Sequence, residues 1–277
     1  MRGVRHDVPA NRARLESGRD LSKRRRDVLA CALLPLAWPA RALAKAQDTI
    51  ERVKRSSVAV GTYLATRSPP FLFRGTGFAV GDGTLIATNA HVLRDTTAAD
   101  PTMEVTSIVL PSSQPGEASG RTATVVSLDR EHDLALLRIA GRPLPPLTLG
   151  NSDKAREGDS LLVTGFPLGT ILGAFPVTHR VMIAAIAPIA IPQGSARQLD
   201  AARVRALQAG AFGIFQLDGS IFPGHSGSPL YHPSTGEVLG VINMAVVRDL
   251  REGTSLQPTG IAYAIPARYL AELLARV

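Results

Sequence analysis

Residues 77–88 have the sequence Gly77-Phe78-Ala79-Val80-Gly81-Asp82-Gly83-Thr84-Leu85-Ile86-Ala87-Thr88. Two short apolar runs, Gly77–Val80 and Leu85–Thr88, flank the turn sequence Gly81–Thr84. Short runs rich in Val, Ile, Phe and Thr on either side of a Gly-Asp-Gly turn are typical of a β-hairpin. This stretch therefore predicts two antiparallel strands joined by a tight turn.

The same pattern of short apolar runs broken by Gly and Pro continues along the chain. Further predicted strands are Ser57–Leu64, Thr122–Leu128, Leu134–Ile139, Ser160–Thr164, Val181–Ala187, Phe212–Gln216, Leu230–Tyr231, Val238–Ile242 and Ile261–Ala264. A proline-rich connector, Gly141–Pro146, divides these runs into two β-rich halves. Two such halves predict an all-β fold of two packed barrels, the first within 45–145 and the second within 146–277.

Two segments interrupt this β pattern. Pro266–Val277 has apolar residues at helical spacing, which predicts a short C-terminal amphipathic helix docked on the core. Residues 195–210 are Arg-rich and compatible with a helix, and we expect a solvated loop or helix inserted between strands.

Composition excludes several classes of protein. The chain has 277 residues, one Cys and a formal net charge of +8. One Cys excludes a disulfide scaffold and any zinc or iron–sulfur site built from cysteines. Residues 1–44 hold ten Lys/Arg against four Asp/Glu, so the remaining body is close to neutral. Because nucleic-acid binding needs basic charge on the folded domain, no nucleic-acid partner is expected.

Residues 1–44 are predicted to be an export signal. The basic run Ser22–Arg26 leads into a short apolar stretch, Val28–Trp38, which is too short for a membrane span of about 20 residues. Small residues at Ala42 and Ala44 predict cleavage after Ala44. The paired arginines resemble a twin-arginine signal; an ordinary secretory signal and an uncleaved anchor are the alternatives. Cys31 lies near the start of the apolar stretch, so lipidation is not expected and the mature chain would have no Cys.

Three polar residues have the types and surroundings of a base, an acid and a nucleophile. Ser226 lies in the Gly-rich turn Pro223–Leu230, whose small residues allow a substrate carbonyl to approach backbone N–H groups. His91 follows one predicted strand and Asp133 precedes another. Singly, each is an ordinary turn or surface residue. In the order His, Asp, Ser, with the connector after the Asp, they predict a site in the cleft between the two halves.

Other catalytic schemes do not fit the sequence. An α/β-hydrolase needs G-x-S-x-G and an acid and a His after the nucleophile, but position 228 is Ser and no acid separates Ser226 from His232. The metallopeptidase motif H-E-x-x-H is absent. His132, beside Asp133, has no second nearby ligand in the sequence. We therefore expect neither a metal site nor a cofactor.

The three segments resemble the trypsin-like, chymotrypsin-fold serine proteases, and most closely the bacterial HtrA/Deg branch. That branch has the motifs T-N-A-H-V, D-L-A-L-L and G-N-S-G-G-P-L. This chain has Thr88-Asn89-Ala90-His91-Val92, Asp133-Leu134-Ala135-Leu136-Leu137 and Gly224-His225-Ser226-Gly227-Ser228-Pro229-Leu230. Further matches are Gly75–Phe78, Leu149–Asp153, Gly165–Gly169 and Gly260–Pro266. The resemblance covers about 50–270 and implies two packed six-stranded β-barrels with a short C-terminal helix.

The resemblance also implies a role for each matching residue. Ser226 would be the nucleophile, His91 the general base and Asp133 the group that orients His91. Backbone N–H groups of Gly224 and Ser226 would form the oxyanion hole. Ile221 and Val246 would line the substrate pocket; both are aliphatic, which predicts cleavage after small or medium apolar residues.

The chain departs from the family pattern beside the nucleophile, where His225 replaces Asn and Ser228 replaces the second Gly. The Asp that classical zymogens use for activation is absent there, and no PDZ domain is expected. We expect a periplasmic or secreted serine endopeptidase acting on unfolded or damaged polypeptides, without a membrane span after signal cleavage. Residues 45–53 form the short segment through which relatives assemble, so a homo-oligomer is a weaker expectation. The alternative is a catalytically silent relative that binds peptides.

Overall fold

The structure is a computed structural model that describes residues 34–93, 104–111, 119–167, 175–189, 212–248 and 257–277. Of residues 34–44, 189, 244–248 and 257–259 it describes the backbone only. Residues 1–44 and 45–277 are separate compact units, and the fold below is that of the second. Within the described ranges, no helix is both long and apolar enough to cross a membrane. The export signal and its cleavage after Ala44 stay predictions, because residues 1–33 lie outside the described part.

In the described part of the chain, two helices flank twelve strands. The helices are α1 (Leu34–Ser56) and α2 (Ala267–Leu274). The strands of the first half are β1 (Ser57–Tyr63), β2 (Phe71–Val80), β3 (Leu85–Asn89), β4 (Val105–Val109), β5 (Gly120–Asp129) and β6 (Leu134–Ile139). Those of the second half are β7 (Ser160–Gly165), β8 (Val177–Ile189), β9 (Phe212–Asp218), β10 (Pro229–Tyr231), β11 (Val238–Arg248) and β12 (Gln257–Pro266).

Each half closes into an antiparallel barrel. The strand order is β1-β2-β3-β6-β5-β4 in the first barrel and β10-β11-β12-β9-β8-β7 in the second. This confirms the prediction of two six-stranded barrels with a short C-terminal helix. The predicted hairpin pairs Phe78 with Ala87 and Val80 with Leu85. Its turn places Gly81 and Gly83 at φ of 63° and 86°, a left-handed conformation that glycine adopts without strain.

The structure adds three features to the sequence analysis. Residues 45–56 belong to helix α1, whose Val53 is fully buried, so the short segment before the first barrel is helical. Strand β4 was not predicted, and β2 begins at Phe71 instead of Gly77. Residues 195–210 lie outside the described part of the chain.

Apolar side chains from both barrels form one buried cluster. It joins Phe78 and Leu134 of the first barrel to Tyr231 and Val241 of the second, and it includes Leu270 of α2. Each barrel has a further apolar cluster of its own. Burial of this shared surface drives the barrels together, since removing apolar area from water stabilises the packed state. The turns that carry the predicted site residues therefore face each other.

Candidate active site

His91 lies in a short helical turn, Ala90–Val92, directly after β3. Strand pairing between β3 and β6 sets Asn89 opposite Leu134, so the end of β3 meets the start of β6. The Ala90 N–H and the Asn89 side-chain amide both donate to the Asp133 carbonyl, at 3.1 and 3.0 Å. The imidazole of His91 is about half exposed, which leaves one edge open to a substrate.

Asp133 holds His91 through both of its carboxylate oxygens. Oδ1 accepts the His91 backbone N–H at 2.8 Å, and Oδ2 lies 2.5 Å from the ring Nδ1. The carboxylate is buried, and the Asn243 side-chain amide donates to its Oδ2 at 2.5 Å. A carboxylate at Nδ1 selects the tautomer with the proton on Nδ1, which leaves a lone pair on Nε2 for proton transfer.

Ser226 lies in the turn between β9 and β10, and its hydroxyl reaches the same network through Asn243. Its Oγ donates to the Asn243 carbonyl at 2.9 Å. Asn243 thus touches Ser226 through its backbone and Asp133 through its side chain. The structure brings His91 and Asp133 into direct contact, whereas the Ser226 hydroxyl donates to the Asn243 carbonyl and not to His91.

The loop before Ser226 is shaped by hydrogen bonds from the other barrel. The Thr76 N–H donates to the Ser226 carbonyl and the Thr76 hydroxyl to the Gly224 carbonyl, each at 2.8 Å. Gly224 and Gly227 have φ of 100° and 87°, so glycine is required at both positions. Among the described residues, the N–H groups of Gly224 and Ser226 donate to no acceptor.

His225 replaces a polar residue of the family motif with a deeply buried imidazole. It is fully buried, and neither ring nitrogen has a hydrogen-bond partner among the residues that the structure describes. Its ring centre lies 5.1 Å from that of His179 on β8. Burial, together with repulsion from His179, lowers the pKa of His225 to about 4, and burial also lowers the pKa of His179. His225 is therefore neutral at physiological pH. The second departure, Ser228, is also buried, and its hydroxyl has no partner within the described part of the chain.

The structure describes one of the two predicted pocket residues. Ile221 is 2% exposed and belongs to the apolar cluster of the second barrel, with Leu217 and Ala262. Val246 lies on β11, but its side chain is outside the described part. Their role in a substrate pocket remains a prediction.

Two residues of this network were missed by sequence analysis, Asn243 and Thr76. Both are buried polar residues in apolar strands. Asn243 directly follows the predicted strand Val238–Ile242, and a polar residue at that point was a usable signal. Thr76 lies within the matching segment Gly75–Phe78, but that match gave it no role.

No metal site is present among the described residues, where no three His, Cys, Asp or Glu side chains cluster closely enough to hold an ion. His132 pairs with Asp129 instead, with the ring Nδ1 2.9 Å from the carboxylate.

Comparisons with a family model and with known proteins identify the same family. Residues 75–241 match the model of the trypsin-like peptidase domain. The chain is 32% identical over 194 residues to a protein of Chlamydia pneumoniae named "Probable periplasmic serine endoprotease DegP-like", covering 70% of this chain and 32% of that one. It is 31% identical over 206 residues to "Serine protease HTRA2, mitochondrial" of Bos taurus, covering 73% and 36%. The chain thus spans about a third of the length of these relatives.

Solved structures share the fold. The crystal structure of Deg5 has a TM-score of 0.58 at 21% identity, covering 83% of this chain and 91% of that one. The HtrA-type protease AlgW, solved with a decapeptide, has a TM-score of 0.58 at 22% identity, covering 83% and 66%.

Proposed function

This chain belongs to the trypsin-like peptidase family and carries a serine endopeptidase domain, and we propose that His91, Asp133 and Ser226 are its catalytic triad. The observation that carries this proposal is the double contact of the Asp133 carboxylate with His91, at the backbone N–H and at Nδ1. The same carboxylate is linked through Asn243 to the hydroxyl of Ser226. The acid and the base are thus in direct contact, and the nucleophile joins them through Asn243.

Each group has a defined part in the reaction. Ser226 Oγ attacks the scissile carbonyl carbon while its proton passes to His91 Nε2, and Asp133 stabilises the resulting imidazolium. His91 then donates that proton to the leaving amine, which leaves an acyl-enzyme. Water, deprotonated by His91, attacks the ester, and the proton returns to Ser226 as the product acid departs.

The free N–H groups of Gly224 and Ser226 support an oxyanion hole in this loop. A backbone donor that has no partner among the described residues is available to the oxyanion of the tetrahedral intermediate. Removal of one such donor in measured enzymes lowers kcat by about 10² to 10³. The two donors lie on either side of His225, so the conformation of that residue sets their spacing.

We propose that the substrates are unfolded or damaged polypeptides, cleaved after small or medium apolar residues, in the periplasm or outside the cell. The names of the relatives, "periplasmic" in one and "mitochondrial" in another, support export from the cytoplasm without selecting one compartment. The export signal predicted in 1–44 supports a location in the periplasm or outside the cell. The aliphatic Ile221 supports cleavage after apolar residues. Assembly into a homo-oligomer is a further proposal, tested by the mass of the mature protein in solution.

A fluorophosphonate probe tests the triad directly, because it labels only an activated serine. We expect the protein cleaved after Ala44 to be labelled at pH 7–9, Ser226→Ala to remain unlabelled, and Asp133→Asn to be labelled about 10⁴-fold more slowly. A peptide-library digest by the same protein then reports the residue preceding the cleaved bond.

The same experiment separates the enzyme from a catalytically silent peptide-binding relative. The hydrogen bond from Ser226 to Asn243, in place of His91, is the observation that favours the silent form. Absence of labelling in the folded protein, together with peptide binding, would establish the silent form. A library digest dominated by Arg or Glu before the cleaved bond would contradict the aliphatic pocket and leave the triad intact.

A further inference from the structure

A second Asp–His pair lies directly before Asp133. Asp129 ends β5, and His132 lies in the turn that leads to Asp133. The Asp129 carboxylate accepts the His132 backbone N–H at 3.0 Å through Oδ1 and contacts the ring Nδ1 at 2.9 Å through Oδ2. Asp133 holds His91 with the same pair of contacts. Two successive Asp–His pairs are therefore built alike, and the mechanism uses only the second.

The ring of His132 is enclosed by aromatic side chains from the other half of the molecule. It stacks on Tyr269 of α2, with ring centres 4.0 Å apart and planes 18° apart. It also meets the ring of Phe212, at the start of β9, edge-on at 4.6 Å. Arg276, just beyond α2, lies 3.9 Å from the Asp129 carboxylate. The Asp129 side chain is buried and that of His132 is 14% exposed, so the C-terminal helix covers the turn that carries the triad's acid.

The backbone of Asp133 needs such support. Its φ is 53°, and it is the one non-glycine among the described residues with a positive φ. Residues other than glycine adopt this left-handed conformation rarely, and they keep it where their surroundings hold it. The carbonyl of Asp133 is held from the side of His91 by Ala90 and Asn89. The Asp129–His132 pair lies within the same turn, where the His132 N–H donates to the Asp129 carboxylate.

We propose that His132 and Tyr269 are positioning residues for catalysis. In this proposal the His132 ring is hydrogen-bonded to Asp129 and stacked on Tyr269. These contacts fix the turn that presents the Asp133 carboxylate to His91. Helix α2, at the end of the second barrel, thereby acts on the acid of the first barrel. The proposal rests on the triad proposed above, because it gives Asp133 the role of orienting His91.

The test combines Tyr269→Ala with Asp133→Asn in a double-mutant cycle. Steady-state kcat and KM are measured on a peptide substrate, and the second-order rate of fluorophosphonate labelling is measured for variants too slow to turn over. We expect Tyr269→Ala to lower kcat about five- to fifty-fold with KM changed less than about twofold, because the acid and not the substrate site is displaced. Tyr269→Phe keeps the stacked ring and should restore kcat.

In the Asp133→Asn background, Tyr269→Ala should change the labelling rate by less than about twofold, because the carboxylate that it positions is already gone. Leu274→Ala is the matched control: it loosens the same helix where its side chain packs on the shared core beside Gly81, and it leaves the stacked ring of Tyr269 in place. Circular dichroism spectra and melting curves establish that every variant is folded at the assay temperature. The control is expected to keep kcat within about twofold of the wild type.

Three results would overturn the proposal: equal losses from Tyr269→Ala in both backgrounds, an equal loss of kcat in Leu274→Ala, or no loss of kcat in Tyr269→Ala. Each of the first two would leave α2 with a structural role only. Failure of the triad itself gives a different result, since Asp133→Asn alone would then retain wild-type labelling. If Asp133→Asn loses activity while Tyr269→Ala keeps it, the triad stands and the positioning role is wrong.

Discussion

Acid should destabilise this protein through His225. The ring is fully buried, neither nitrogen has a partner, and its one titratable neighbour among the described residues is His179. The pKa of His225 is lowered from 6.5 to about 4 by burial and, less strongly, by His179. The unfolded chain therefore takes up a proton at a higher pH than the folded protein does.

The size of the effect follows from the two pKa values. Between pH 6.5 and 4 the unfolded state carries a proton on His225 that the folded state lacks, so stability falls as the pH falls. Each pH unit in that window is worth about 1.4 kcal/mol. Lowering the pH from about 7.5 to about 4.5 should reduce the free energy of unfolding by about 2.5 kcal/mol through this residue alone. Below the folded pKa, no further loss comes from this ring.

Urea unfolding followed by circular dichroism, at about pH 7.5, 6.0 and 4.5, measures this quantity. His225→Asn lacks the titrating ring, so we expect its loss of stability on acidification to be about 2.5 kcal/mol smaller than that of the wild type. His232→Asn is the control, because that ring is exposed and its replacement leaves His225 and His179 in place. Equal pH dependence of wild type and His225→Asn would refute the assignment of a buried, unpaired imidazole.

Three further substitutions test the network around Ser226. Asn243→Ala removes a donor to the Asp133 carboxylate and should lower kcat about tenfold or more with KM unchanged, measured by peptide hydrolysis. Thr76→Val leaves the Gly224 carbonyl without its donor and should reduce the free energy of unfolding by about 1–3 kcal/mol in urea. Gly227→Ala forces a residue with a side chain to adopt φ of 87°, and its Cβ would overlap the Thr76 carbonyl oxygen. It should reduce the free energy of unfolding by more than about 3 kcal/mol, which a lowered melting temperature would report. Unchanged values for any of these would remove that residue from the network.

The strands were predictable where their sequence is both apolar and bounded by turn residues. The hairpin around Gly81 and Gly83 is the clearest case, because a Gly-Asp-Gly turn fixes the register of its two strands. Strand β4 and the first part of β2 escaped prediction. Both segments expose apolar residues, Val105 and Leu72. Apolar positions in their sequences therefore do not separate a buried face from an exposed one. Helix α1 escaped too, because a helix that docks through Val53 is stabilised by packing and not by local preference.

The candidate site was predictable in its residue types and not in its connections. His91, Asp133 and Ser226 could be chosen because each lies in a motif whose flanking residues fit its chemistry. Asn243 and Thr76 could not, since a buried asparagine or threonine acquires its partners only when distant strands meet. The pairing of Asp129 with His132 is local, but the ring that covers it comes from Tyr269, far along the chain.

Sequence alone determined the β class, the two barrels, the family and the candidate residues, because strand alternation, turn glycines and ordered motifs are local properties. Tertiary structure decided which polar groups meet: the double contact of Asp133 with His91, the turning of the Ser226 hydroxyl toward Asn243, and the burial of His225 beside His179. Hydrogen-bond direction and desolvation depend on atoms brought together across the two barrels, and no local pattern of residues encodes those distances.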